Sequence, residues 1–236
     1  MFIIKYSIAD LIVRMEPDPK TKQQAEKYLC NQDLQHDLDV FYIDYETYLK
    51  KDTKSTYEVY KYVSMSADFY RKLIDYNGIM LHASAIVVDD KAYLFSAPSG
   101  TGKSTHTGKW LELFGESAYI LNDDKPAIRV LDDGIYAYGT PWSGKCDISV
   151  NKKVKLQGIC FLERDKKNYI ELMDNVTSIF RLYHATLKKL SFEQINRVMD
   201  IIDSIVNKIP IYKMGCTPTV EAAKMAYDAM SKSEVK

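Results

Sequence analysis

Apolar and polar positions along this chain follow two different rhythms. An apolar run over residues 1–13, broken by Lys5 and Asp10, reads as a first strand. Over 41–48 and 56–63, tyrosines and aliphatic residues alternate with polar ones, and that period of two predicts half-buried strands. Aromatic residues are favoured in strands, so packing accounts for the tyrosines more simply than a surface that grips a peptide or base. Residues 66–76 read as a helix that Asn77 and Gly78 would stop.

From residue 79 the runs become almost continuously apolar. Segments 79–88 and 92–95 predict two buried strands joined by a short turn at Asp89, Asp90 and Lys91. A helix over 103–114 closed by Gly115 follows, then a buried strand over 117–121 that ends in Asn122, Asp123 and Asp124. Further strands are expected at 126–130, 135–138 and 158–163. Asp174 would cap a helix running to about 190, and Ser191 with Gln194 forms a capping box for a helix from 192 to about 209. A last strand at 211–214 precedes a final helix with Thr217 as its cap and Pro218 at its first position. The charged end, 231–236, reads as a frayed tail. The expected fold is α/β (α+β): a small β-rich region over 1–78, then a core over 79–236 with a mixed sheet and flanking helices.

Composition narrows the function classes. With 236 residues and 46% hydrophobic content the chain can bury a real core. Its 32 basic and 32 acidic side chains cancel, so overall charge gives no case for nucleic acid or an anionic membrane as partner. Cys30, Cys146, Cys160 and Cys216 are scattered without C-x-x-C spacing, which argues against structural zinc or a disulfide framework. No signal peptide or membrane span is evident, and the expectation is a soluble cytoplasmic protein, with a homo-oligomer allowed.

The chemistry concentrates after the second buried strand. Ser99, Gly100, Thr101, Gly102, Lys103, Ser104 and Thr105 lie between an apolar strand and a helix, the setting of a phosphate-binding loop. Consecutive N–H groups and the positive end of the helix would surround a polyphosphate, with Lys103 on the outer phosphates and the Ser104 hydroxyl on magnesium. Ala97 stands where the pattern's first glycine belongs. Asp123 and Asp124, at the end of the next strand, suit a metal ligand and a proton acceptor, and the residue types alone do not say which is which. His82 is either a satisfied core histidine or a group that projects toward the same phosphates. The segment around Gly139, Trp142, Gly144 and Lys145 reads equally as a second anion loop, with Lys145 reaching the transferred phosphoryl and Trp142 shaping the acceptor site, or as a turn anchored by a buried tryptophan.

Leu81-His82-Ala83-Ser84-Ala85, the hairpin, the Ser99 to Thr105 loop and Asn122-Asp123-Asp124, taken in that order, resemble the nucleotide core of the HPr serine kinase/phosphorylase and ATP-dependent phosphoenolpyruvate carboxykinase superfamily. The likeness spans roughly residues 79–150. It implies a carboxykinase-like core, ATP and Mg2+ as cofactors, Lys103 and Ser104 as triphosphate and metal contacts, and Asp123 and Asp124 as metal-binding and catalytic acids. It also places His82 near the metal or the transferred phosphate, and in the kinase branch makes Asp124 the base. The implied activity is phosphoryl transfer from a nucleotide to a hydroxyl, a serine of a protein or peptide. A decarboxylating carboxykinase, for which Arg129 and Arg164 are the arginines in range, and a nucleotide-binding module without turnover are the alternatives.

Overall fold

Between Ile8 and Leu11 the backbone takes φ of 54° at Ala9 and 61° at Asp10, a two-residue turn that folds the first apolar run back on itself. The expected single strand over 1–13 is therefore a hairpin, β1 (Ile4–Ile8) and β2 (Leu11–Met15). Asp89 and Asp90 repeat the device, with φ of 52° and 55°, in the hairpin expected there. The computed structural model describes residues 3–42, 44–50 and 54–232. Met1, Phe2 and Ile43 of the expected strands, and 233–236 of the expected tail, lie outside them.

After the hairpin come α1 (Pro19–Ala25), β3 (Leu38–Val40) and α2 (Tyr45–Leu49). Then α3 (Tyr57–Leu73) leads to β4 (Gly78–Met80). In place of the strands expected over 41–48 and 56–63 the chain is helical from Tyr45 and from Tyr57, while Phe41, Tyr42, Asp44 and Thr56 lie in neither strand nor helix. Asp44 caps α2 by accepting from the Thr47 N–H at 2.8 Å, and Thr56 caps α3. The buried positions of α3, Tyr62, Met65, Phe69 and Leu73, recur with a helical period that only a window beyond residue 63 reveals. Its first two turns alternate because their tyrosines pack sideways. Tyr48 lies 5.2 Å from Tyr57 and 5.5 Å from Tyr60 between ring centroids, joining α2 to α3.

The remaining elements follow the expected order: β5 (Ala83–Val88), β6 (Lys91–Ser96), α4 (Lys103–Phe114), β7 (Ala118–Asn122), β8 (Ala127–Leu131) and β9 (Gly134–Tyr138). Next come β10 (Lys153–Arg164), which starts before the expected 158, β11 (Tyr169–Leu172), a strand that was not expected, α5 (Asn175–Ala185), α6 (Phe192–Lys208), β12 (Ile211–Cys216) and α7 (Val220–Met230). The strand expected over 79–88 is interrupted at Leu81 and His82, and α5 stops at Ala185, short of 190. The final helix is capped by Thr219, not by Thr217. The capping box of Ser191 and Gln194 forms as expected.

Among the described residues a nine-stranded mixed sheet runs β4-β8-β9-β10-β6-β5-β7, with β12 also on β10 and β11 outside it. β6 lies between β10, parallel to it, and β5, antiparallel. Alternate residues of the central strands feed opposite layers. Leu94, Ile159 and Phe161 join Leu182 of α5 and Ile201, Ile202 and Ile205 of α6. Tyr93, Phe95, Cys160 and Leu162 join Trp110 of α4 and Ala222, Ala223 and Ala226 of α7. The small sheet β1-β2-β3 and α3 share a third cluster with Ala127, Tyr138 and Trp142. No helix among the described residues is long and apolar enough to cross a membrane.

Gly139 sits where a Cβ would fall 1.9 Å from the Val150 carbonyl oxygen and 2.8 Å from that of Leu121, so only glycine lets these backbones approach. Gly139→Ala is expected to cost about 3 kcal/mol in urea unfolding. Gly108→Ala, in the interior of α4 with open space around it, is expected to stabilise by about 0.5–1 kcal/mol in the same measurement.

Candidate functional site

Strand β6 ends at Ser96, and the chain turns through residues 97–102 into α4 at Lys103. Gly100 and Gly102 take φ of 79° and 121°, values that L side chains rarely adopt. No side chain caps α4 at Gly102, so the first N–H groups of the helix are left for a ligand or solvent. A Cβ on Gly100 would meet nothing within 4 Å, so the loop is an open cradle. Ala97, where the pattern has glycine, is not among the residues with positive φ and packs into the layer holding Trp110. The geometry here does not require glycine.

Two side chains fix the loop. Lys103 Nζ donates to the Ala97 carbonyl at 2.9 Å, which leaves two of its three donors for a ligand. Arg164, at the end of β10, donates to the carbonyls of Gly100 and of Thr101, the latter at 3.2 Å. Burial lowers the pKa of Lys103, against the opposing pull of the Asp124 and Asp123 charges. The lysine and the acidic pair therefore share one electrostatic site.

The acidic pair is held by a buried network that starts at Asn122. Its Oδ1 accepts from the N–H groups of Asp124 at 3.0 Å and Lys125 at 2.8 Å, forming a turn closed by its own side chain. Its Nδ2 donates to the Thr140 carbonyl at 2.9 Å. The Thr140 hydroxyl donates to the Lys125 carbonyl at 2.9 Å and lies 2.9 Å from the hydroxyl of Tyr70, which also donates to that carbonyl. Asp123 Oδ1 accepts from Ser84 Oγ at 2.6 Å, and Ser84 Oγ lies 2.9 Å from Thr107 Oγ1 on α4. That chain of hydroxyls ties the carboxylate to the phosphate-loop helix.

Asp124 stands between His82 Nε2 at 3.4 Å and Lys125 Nζ at 2.6 Å. Burial raises its pKa, but the His82 bond and the Lys125 charge outweigh burial and hold it at about 2. His82 is thus no satisfied core residue. Its N–H donates to the Ala185 carbonyl at 2.9 Å and its carbonyl accepts from Ser96 Oγ at 2.9 Å, which pins it between α5 and the loop.

Lys103, Asp123, Asp124 and His82 come together, with Ser104 exposed on the first turn of α4. Lys145 is exposed and makes no contact among the described residues that brings it to them; the nearest link is its neighbour Gly144, where a Cβ would lie 3.0 Å from Asp124 Cβ. Trp142 takes the anchoring role, fully buried with its ring 4.9 Å from that of Phe69. Arg129 is not at the site: its Nη1 and Nε donate to the carbonyls of Ala9 and Tyr76, which makes it a strut under the N-terminal hairpin. The sequence assigned no role to Ser84, Thr140, Tyr70 or Lys125. Ser84 and Thr140 lie inside segments already singled out and Lys125 adjoins one, while Tyr70 reaches the site only through the fold.

No protein-family model matches this chain, and no curated protein does. Among solved structures, a similarity is found to the Hpr(Ser) kinase/phosphatase from Coxiella burnetii. The two share 10% identity over 65% of this chain and 91% of that one, with a TM-score of 0.38. A likeness that distant carries no weight for what this chain does.

The residues present fit a magnesium–polyphosphate pair. Among the described residues no group of three or more His, Cys, Asp or Glu could hold a metal unaided. Magnesium needs no such cage, because it keeps waters and binds through one or two carboxylates plus substrate phosphates. Asp123 and the Ser104 hydroxyl, beside an open cradle of N–H groups, are donors of that kind.

Because the folded state depresses the Asp124 pKa, the stabilisation from its ion pairs is complete above the usual carboxylate range and is lost as pH falls toward about 2. Asp124→Asn is expected to cost about 2 kcal/mol at neutral pH. Stability measured against pH should converge with wild type in strong acid.

Proposed function

We propose that this chain is an ATP- and Mg2+-dependent kinase that phosphorylates a hydroxyl, a serine of a protein or peptide. The observation that carries the reading is geometric: Ser84 bonds Asp123 and meets Thr107 on the helix that Lys103 opens, and His82 touches Asp124. A cradle of N–H groups alone would bind phosphate; a carboxylate pair held beside it suits transfer.

In this reading the loop from Ser99 to Thr105 binds the triphosphate through its N–H groups and Lys103. Ser104 and Asp123 hold magnesium, which when bound neutralises phosphate charge. Asp124 orients the acceptor hydroxyl and takes its proton as the oxygen–phosphorus bond forms and the bond to the nucleoside diphosphate breaks. A carboxylate with a pKa of about 2 is a weak base. A loose phosphoryl transition state asks little of its base before the hydroxyl has begun to bond, so positioning carries most of the catalysis. His82 keeps Asp124 in place, and Lys145, which follows the Gly144 that lies against Asp124, is assigned to the transferred phosphoryl.

The carboxykinase reading is disfavoured by the two arginines it needs. Arg129 is spent on the N-terminal hairpin and Arg164 on the loop carbonyls. The reading as a binding module without turnover loses its one sign, since Ala97 fits the loop without strain.

Incubation with labelled ATP, Mg2+ and serine peptides is expected to give phosphopeptide with wild type. Asp124→Asn should lower the rate by on the order of 10³ while retaining ATP binding, and Lys103→Met should weaken both. Phosphoenolpyruvate made from oxaloacetate would overturn the reading, as would ATP binding without transfer to any hydroxyl.

A further inference from the structure

Helix α5 ends at the site. The bond from the His82 N–H to the Ala185 carbonyl fixes its last turn against the break between β4 and β5. A cleft of about 200 Å3 opens there, with His82, Ala97 and Phe161 along its walls and Arg181, His184 and Ala185 of α5 on its rim. The cleft lies on the His82 side of the phosphate loop. A separate cleft on the other side, lined by Thr105, Arg164 and Thr217, leaves room for the remainder of a nucleotide.

Residues of α5 three and four apart share a face, so Val176, Phe180 and His184 form one row that runs into the cleft. Phe180 packs edge-on against His184 with ring centroids 4.2 Å apart, yet it remains 62% exposed, and Val176 is 78% exposed. Two large apolar side chains left in water on one row are an unpartnered ridge, and this ridge is continuous with the cleft. Arg181, beside it, gives one guanidinium nitrogen to Glu163 at 2.6 Å, which leaves other donors of its fork for a carboxylate.

We propose that α5 docks the acceptor. The acceptor is a peptide segment whose hydroxyl residue enters the cleft at His82, with an acidic side chain next to it on Arg181 and an apolar side chain on Val176 and Phe180. A small acceptor would fill the cleft and leave the ridge idle. A peptide covers both, and the donors of the Arg181 fork that Glu163 leaves unused favour an acidic one. This inference rests on the proposed phosphoryl transfer, but peptide binding can be measured without it.

The probes are fluorescein-labelled serine peptides carrying an apolar residue on one side and glutamate beside the serine, with matched lysine versions. Anisotropy is read in the presence of Mg2+ and a non-hydrolysable ATP analogue, and phosphorylation in the presence of ATP. The expected result is a preference for the glutamate peptides and a rise in Kd and KM of about tenfold in Phe180→Ser and in Arg181→Gln. ATP affinity and kcat at saturating peptide should be unchanged. Arg181→Glu should favour the lysine peptides. Unchanged peptide affinity in all three variants would overturn docking on α5 while leaving the kinase reading intact. Peptide binding that depends on α5 without any transfer would overturn the kinase reading and keep the docking. Phosphorylation of a small hydroxy acid in place of any peptide would overturn the docking.

Discussion

The Asp124 carboxylate lies between His82 and Lys125, in the field of Lys103, and most of the site depends on keeping it there. The groups around it come from three stretches of chain: His82 from the break between β4 and β5, Lys103 from the start of α4, and Lys125, with Asp124 itself, from the turn that follows β7. They meet because β6 and β7 both flank β5, so the loop that leaves β6 and the turn that leaves β7 emerge at the edge where β5 begins. The hydroxyls of Ser84 and Thr107 then link the turn to the loop's helix. A carboxylate held ionised beside a half-buried lysine is a costly arrangement; His82 and Lys125 compensate the charge, while the Asn122, Thr140 and Tyr70 network holds the backbone of the turn that presents it.

The N-terminal residues take part in that support. Tyr70 of α3 reaches the acidic turn directly, and Trp142 packs on Phe69 of the same helix. Arg129 connects the sheet to the β1–β2 hairpin through Ala9. The small sheet and α3 thus brace the turn from behind, while α5 closes the opposite side at Ala185. Support from behind and access from the front are separate tasks given to separate elements.

Local chemistry was legible in the sequence wherever a short run decides the structure. The two glycines with Lys103, the Asn77 stop, the Asp89–Asp90 hairpin and the Ser191 capping box each act within a few residues, and all appear. The tyrosine-rich segments misled because alternation over eight residues also fits the exposed first turns of a helix whose buried stripe starts later, at Tyr62. Tyr70, Arg181 and His184 were invisible for another reason: nothing about an isolated tyrosine or arginine marks it until the fold brings it to the acidic turn or the cleft. Thr140 lies in the segment singled out around Gly139, but its bonds to Asn122 and Lys125 depend on the fold. The adjacency of Lys125 to Asp124 could have suggested an ion pair, and with it a carboxylate kept well ionised.

Where a polyphosphate and its metal sit decides the role of each of these residues, and the most direct measurement is a crystal structure of the full chain with Mg2+ and a non-hydrolysable ATP analogue. The expected result has the phosphates in the 97–102 loop, with Lys103 on them, magnesium on Ser104 and Asp123, and the terminal phosphate facing Asp124 and His82. A nucleotide bound with its phosphates away from the loop, or a metal that leaves Asp123 and Asp124 untouched, would contradict it.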